Sequence, residues 1–285
     1  MSALSRKATR DLAAHPGRTA VVVLAIAAGI AGFAAVLSSD AILRRALNEG
    51  YRASNPPSAA LRVSRVDAPL LAALRADPEI AAAEERRVVR GRLHGRGGWR
   101  NVILFAADDW RGARIGRITP EAGAWPPADG EILVERDAFS VARAAIGDTV
   151  LVRSRDGDAI AVRVTGRVHD VGQAQARMEN VVYAYATPAT LARLGDDGNL
   201  DRIEILAARD AFDSGHVRTV AERARRIAEA LGHAVRQVDV PTPGEHPHAA
   251  IMGMLMRAIA GFGLAALLRS GVLVVNLMAA ILAEQ

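Results

Sequence analysis

The chain contains no cysteine, which excludes disulfides, zinc thiolate sites and thiol nucleophiles together. Aromatic residues are scarce at 4%, and Lys7 is the one lysine among 36 basic residues. The others are arginines interleaved with 31 acidic residues, so the net charge of +5 is spread along the chain rather than gathered into a stripe. That pattern argues against a nucleic-acid partner and for a solvated surface. No G-x-x-x-x-G-K-[ST] run is present, so nothing here cradles a nucleotide phosphate in the P-loop manner, and any ATP-driven step needs another chain. No repeat of fixed period is present.

Long apolar runs, by contrast, stand at both ends. Ala258 to Ala283 reads AIAGFGLAALLRSGVLVVNLMAAILA, broken by one charge, Arg269, and followed by Glu284 and Gln285. As a helix it measures about 39 Å, more than a bilayer core needs. A second run, Ala20 to Leu37, is uncharged and measures about 27 Å, just enough to cross. Arg6, Lys7, Arg10 and Arg18 precede it and favour a cytoplasmic N-terminus; Arg44, Arg45 and Arg52 follow, but a long translocated domain largely escapes the charge rule. The run is longer than a signal-peptide core and its helical pattern continues from Ser38 to Leu47, so it reads as a retained anchor. Ala25 with Gly29 and Ala28 with Gly32 place small residues on one face, making Gly29 and Gly32 expected helix-packing positions. An arginine at the centre of a span costs about 2.5 to 3.5 kcal/mol. Arg269 is therefore expected in the outer headgroup region or facing a partner helix, with Arg257 on a stalk and Glu284 at the cytoplasmic edge.

Between the runs, turn signals recur at short intervals. Asn55, Pro56, Pro57 and Ser58 end the first helix. Alternation predicts strands over 60–66, 80–93 and 102–106, with a helix over 68–76 closed by Asp77 and Pro78. Residues 110–129 read as irregular. A strand over 131–135 and a short helix over 139–145 follow, then strands over 149–153 and 159–168 joined at Asp156, Gly157 and Asp158, a strong hairpin signal. Strands over 180–186, 202–207 and 234–240 and helices over 188–194 and 217–231 complete the segment, and Pro241, Pro243 and Pro247 mark a linker. The fold class expected is an α+β extracytoplasmic domain, a mixed α/β subdomain with an inserted β-rich one, between two transmembrane helices. In residues, 1–18 is a cytoplasmic lead, 19–38 the first span, 39–250 a periplasmic core domain with its β-rich part at about 130–175, and 251–285 a stalk and second span.

Reactive constellations are missing. Gly91, Gly95, Gly97 and Gly98 lack dinucleotide-fingerprint spacing and read as a hairpin turn. His246 and His248 flank Pro247 without further ligands at fixed spacing, so no metal site is expected and a linker reading stands. His169 and Asp170 read as a strand-end pair rather than a catalytic one. Trp99, Trp110 and Trp125 fit core or turn packing, with a hydrophobic groove as the other use. No catalytic or cofactor-binding residue is assigned, and the protein is not expected to be an enzyme.

Two stretches carry a family resemblance. Gly271 to Gln285, GVLVVNLMAAILAEQ, is similar to the second span of the MacB/FtsX-like permeases of ABC transporters, the type VII or mechanotransmission group. Val274, Val275, Asn276, Leu277 and Met278 match an apolar-Asn-apolar run there, and Glu284 with Gln285 match a polar pair at the membrane edge. Arg10, Asp11, Leu12, His15, Pro16 and Arg18 resemble the family's amphipathic lead, while the domain between is matched by layout only. The resemblance implies a bacterial inner-membrane permease that binds no ATP itself. It implies a cytoplasmic ABC ATPase as partner, a second permease copy or paralogue in a dimer, the lipid bilayer, and a periplasmic partner. ATP-driven motion would reach the periplasmic domain for export or extraction of a hydrophobic or peptide-like substrate. Arg269 and Asn276 join Gly29 and Gly32 as helix-packing positions, and Glu284 and Gln285 face the ATPase. The family continues with a coupling segment and two more spans, so a truncated or split permease is expected. A two-span sensor with a periplasmic ligand domain is the competing reading, and an anchored periplasmic enzyme a third.

Overall fold

A computed structural model describes residues 16–154, 157–196 and 198–283. In chain order the elements are α1 (Pro16–Ala53), β1 (Ala59–Val63), α2 (Ala68–Ala76), β2 (Ile80–Gly95), β3 (Gly98–Ala106), β4 (Thr119–Gly123), β5 (Glu131–Glu135) and α3 (Ala138–Ala142). They continue as β6 (Thr149–Ser154), β7 (Ile160–His169), α4 (Ala176–Glu179), β8 (Val181–Ala186), α5 (Pro188–Arg193), β9 (Arg202–Ala207), α6 (Ser214–Ala230), β10 (Val235–Asp239) and α7 (Ala249–Ala283). The chain divides into two compact units, Met1–Ala46 with His248–Gln285, and Leu47–Pro247.

Within Leu47–Pro247, the outer segments build a four-stranded antiparallel sheet in the order β10-β1-β9-β2. Each β-α-β crossover straddles a strand from the other, the split arrangement of ferredoxin-like folds. One sheet face is apolar because alternate residues face it: Ala59, Leu61 and Val63 on β1, Ile203, Ile205 and Ala207 on β9. Helices α2 and α6 cover that face with Leu70, Leu71, Leu74, Val220, Ala221 and Ala224. Both helices start where a side chain supplies the missing acceptor: Asp67 Oδ1 accepts from Leu70 N at 3.0 Å, and Asp213 Oδ1 from His216 N at 2.6 Å.

Between β2 and β9 the chain makes an insertion whose strands close on themselves. The far half of β2 pairs with β3, β3 with β8, β8 with β5, β5 with β7, β7 with β6, and β6 returns to β2. This ring is a small barrel, its interior filled by Val89, Leu93, Leu104, Ile132, Val134, Val152, Val164 and Val182. Closure explains Gly91, which sits in mid-strand: a Cβ there would run into the carbonyl oxygen of Arg153 on β6. Gly95 to Gly98 form the β2–β3 turn, with Gly98 at φ +86°.

The fold class read from sequence is the one observed, with differences of extent. Strand β3 starts at Gly98 rather than at 102, because pairing with β2 continues to the turn. The stretch 110–129 holds β4, which adds to the edge of β7 and tolerates Pro120 there. Helix α4 was not anticipated. The Asp156 position of the expected hairpin lies outside the described residues, as do 1–15, Glu284 and Gln285.

Candidate functional site

The unit of Met1–Ala46 and His248–Gln285 is a helix pair. A Cβ at Gly29 would stand 3.2 Å from Leu267 Cδ2, one at Gly263 3.3 Å from Phe33 Cδ2, and one at Gly253 2.5 Å from the Arg44 guanidinium. Those pairs run in opposite chain directions, so α1 and α7 are antiparallel, and glycines on both sides let them approach closely. Gly32 meets nothing within 4 Å. Both helices contain stretches long and apolar enough to cross a membrane, Ile26–Ala53 and Gly253–Val272, with none of the scanned window buried. Outside the half-buried stripe where the two helices meet, apolar side chains are exposed, among them Leu24, Ile30, Phe262, Leu268 and Val275.

The register also aligns the polar residues of α7 with α1. With Gly29 opposite Leu267, Arg269 lies level with the middle of the uncharged Ala20–Leu37 run, and it is exposed. Asn276 is exposed further along α7. The helix pair brings Gly29 within one turn of Arg269's level.

In the unit Leu47–Pro247, the end of α1 is held by backbone pairing. Asn55 takes the left-handed conformation at φ +54°, followed by Pro56, a helix-stop sequence. The Arg117 guanidinium donates to Ala53 O at 2.9 Å, Arg117 N to Ser54 O at 2.8 Å, and Gly116 N to Asn55 O at 2.8 Å, so these carbonyls are satisfied by a loop. That loop is itself fixed by the sheet: Arg114 N donates to Glu84 Oε1 at 2.6 Å, and the Arg86 guanidinium to Ile115 O at 3.2 Å. On the other side, buried His246 donates its backbone N–H to Asn48 Oδ1 at 3.1 Å, its Nε2 lies 2.6 Å from Val171 O, and its ring meets Tyr51 edge-on at 5.3 Å. His246 is thus a packed junction residue, and among the described residues no group of three metal-ligating side chains exists.

The sheet face away from α2 and α6 carries charge in rows. Register places Arg62 opposite Arg202, and Arg202 opposite Arg86; one pleat along, Glu204 lies opposite Glu84, with Ala60 between Glu204 and Asp239. The rows neutralise each other through Arg86–Glu84 at 2.7 Å, Arg202–Glu204 at 3.2 Å and Arg202–Asp239 at 3.5 Å. Between this face and the barrel lies a cleft of about 680 Å³. Its barrel wall is aromatic: Phe105 stacks on Tyr185 with centroids 5.5 Å apart, Trp110 meets Tyr185 edge-on at 5.5 Å, and Arg86 covers Trp110 at 5.4 Å. Trp110 donates Nε1–H to Ala186 O at 2.7 Å and packs with Trp125, so two of the three tryptophans belong to this core. Trp99 lies elsewhere, on the barrel exterior, with the Arg153 guanidinium 4.8 Å over its ring.

The strand-end histidine has a carboxylate partner. His169 Nδ1 lies 3.3 Å from Glu135 Oε1, and burial holds the Glu135 carboxyl above its usual range. Asp170 accepts from Tyr185 O–H at 2.7 Å, and burial together with the Asp170 charge raises the Tyr185 phenol well above its ordinary value. Among the described residues Glu135 also accepts from Asp137 N, and Asp170 from Gly172 N and Gln173 Nε2, so both carboxylates order the side chains and backbone around them. The row pattern and the cleft were not read from sequence. The signal available was the run of same-face residues Glu84, Arg86, Val88 and Arg90 on β2, whose meaning depends on strands more than 100 positions away.

No protein-family model and no curated protein sequence matches the chain. Solved structures are similar to part of it. One is the extracellular domain of the noncanonic ABC-type transporter YknZ from Gram-positive bacteria, with TM-score 0.42, 7% identity, and coverage of 62% of this chain and 100% of that one. Another is the periplasmic region of MacB from Actinobacillus actinomycetemcomitans, with TM-score 0.41, 11% identity, and coverage of 63% and 88%.

Proposed function

We propose that the chain is a permease subunit of an ABC transporter, fixed in the inner membrane by α1 and α7, with Leu47–Pro247 on the outer side. A separate cytoplasmic ATPase drives motion that the two helices pass to that unit, for export or extraction of a hydrophobic or peptide-like substrate. The observation that carries the reading is the antiparallel pairing of two helices that, outside a narrow contact stripe, expose apolar residues on several sides, which water does not tolerate and lipid does. Antiparallel spans put both chain ends on one side of the bilayer and the connecting unit on the other. The residues Gly271 to Gln285 and Arg10 to Arg18, which resemble the permease family, add support from both ends. The firm cap on α1 at Ala53, Ser54 and Asn55 suits a helix that must transmit movement rather than fray.

The absence of cysteine makes the test direct. A single cysteine at Gln285, cross-linked in native membranes with a bifunctional maleimide, is expected to capture a protein whose purified adduct shows vanadate-sensitive ATP hydrolysis. A product that is a signalling kinase or cyclase, or no product at all, overturns the reading in favour of a sensor or a simple anchor. Orientation is read separately, by a periplasm-dependent reporter inserted after Asp213, which is expected to be active.

A further inference from the structure

The cleft between sheet and barrel has a charge balance that selects a ligand. Five arginines and three carboxylates line it. Each carboxylate is committed: Asp170 accepts from Tyr185 O–H, Gly172 N and Gln173 Nε2, Asp196 is paired with Arg87 at 2.8 Å, and Glu204 with Arg202 at 3.2 Å. The arginines are not all committed. Among the described residues the guanidiniums of Arg62 and Arg90 have no hydrogen bond or ion pair, and both residues are exposed and line the cleft. Arg90 is the cross-strand partner of Ile103, and beside it Ile103, Phe105 and Ile118 are half-buried and give the cavity an apolar patch. Two uncommitted guanidiniums in a concave site that also carries an apolar patch favour a molecule with an anionic head and an apolar body, since planar guanidinium binds phosphate and carboxylate through paired N–H donors.

We propose that this cleft is a binding site for an amphiphilic anion, a phosphate or carboxylate carried on an aromatic or aliphatic body. Arg62 and Arg90 hold the head, and Ile103, Phe105 and Ile118 receive the body. The proposal does not rest on the permease reading, because it concerns binding alone and needs neither ATPase nor transport.

The test uses the full chain in nanodiscs of zwitterionic phosphatidylcholine, with empty nanodiscs titrated in parallel so that partition into lipid is subtracted. Naphthyl phosphate and octyl phosphate are titrated by calorimetry, with Trp110 fluorescence as a second readout. Saturable binding of either is expected, the tighter one identifying the preferred body. Naphthol and inorganic phosphate are each expected to bind at least about tenfold more weakly, because each lacks one half of the match. The R62A and R90A variants are each expected to lose about tenfold in affinity and their combination more, whereas R218A, which removes an exposed arginine from α6, is expected to bind as the parent does. Both cleft arginines are exposed, and an unchanged melting temperature confirms that the variants fold. The proposal is overturned by any of three results: no saturable binding of either phosphate, equal binding of naphthol or inorganic phosphate, or undiminished binding by the R62A/R90A double variant.

Discussion

Helix α6 and helix α7 are both regular, yet they dispose of apolar surface in opposite ways. In α6, Val217, Val220, Ala221, Ala224 and Ala228 form one buried stripe, while Arg218, Glu222, Arg225 and Glu229 face water and pair along the helix, as Arg225–Glu222 and Arg225–Glu229 do at 2.8 Å. In α7 the half-buried positions Met256, Ala260, Gly263, Leu267 and Ser270 make only a narrow stripe, and Met254, Phe262, Leu268 and Val272 are exposed on several sides. The difference teaches which solvent each helix was built for. One buries a face against a sheet and shows charge to water; the other half-buries a narrow stripe against α1 and leaves the rest of its apolar surface exposed, a cost that a bilayer removes.

The sharpest way to break this comparison is a matched pair of truncations. Leu104 is fully buried inside the barrel, and Leu104→Ala is expected to cost about 2 to 5 kcal/mol, read from chemical denaturation of the outer unit within the full chain. Phe262 is 78% exposed on α7, and Phe262→Ala is expected to leave that transition unchanged within about 0.5 kcal/mol. If the Phe262 variant lost as much as the Leu104 variant, α7 would be a core helix of a soluble protein and the membrane reading would fail.

Next in size is Arg269. Its level opposite the middle of Ala20–Leu37 predicts that Arg269→Leu improves insertion of α7 by about 2.5 to 3.5 kcal/mol, measured as the fraction of the segment integrated by glycosylation mapping in microsomes. A gain under about 1 kcal/mol would place the guanidinium at an interface instead, where a long side chain reaches water. The sequence alone allowed both positions, because a run of 26 residues does not say which part of it lies at the bilayer centre. The glycine contacts with Leu267 and Phe33 set Arg269 level with the Ala20–Leu37 run, and the size of the gain tells the two positions apart.

What was legible in the sequence was local. Helix α2 announces itself by Leu70, Leu71 and Leu74 between Asp67 and Asp77, and β5 by five residues ahead of a short helix; both stand where the periodicity put them. The nesting of a β-rich insertion in an α/β lobe was readable in outline, but not its extent: β3 and β8, outside the expected 130–175, belong to the barrel because they pair with the far half of β2, with each other and with β5. Ring closure of the barrel was not, since it is fixed by β6 returning to β2 across intervening strands, and nothing near Gly91 names Arg153 as its neighbour. The cleft was invisible for the same reason: Arg62 and Arg90 are ordinary surface arginines until register gathers the acids around their neighbours and leaves these two without partners.

Asp77 shows the same limit at one residue, and yields the smallest of the expected effects. It reads as the end of α2, and it does accept from Glu79 N at 3.0 Å, but it also takes a hydrogen bond from the Arg223 guanidinium of α6, locking together the two helices that cover the sheet. Burial alone would raise its carboxyl; the hydrogen bonds from Arg223 and Glu79 and the guanidinium charge outweigh that and hold it below the usual carboxylate range. A folded-state pKa below the unfolded one means stability that is present above the unfolded value and disappears as pH falls through the folded one. Arg223 is half-exposed, so the pair is screened, and Asp77→Asn is expected to cost only about 1 kcal/mol at neutral pH. Denaturation of parent and variant across the acid range is expected to show this gap closing as the parent's carboxylate protonates. A gap that stays constant with pH would mean that the side chain's shape at the helix end, and not its charge toward Arg223, is what joins α2 to α6.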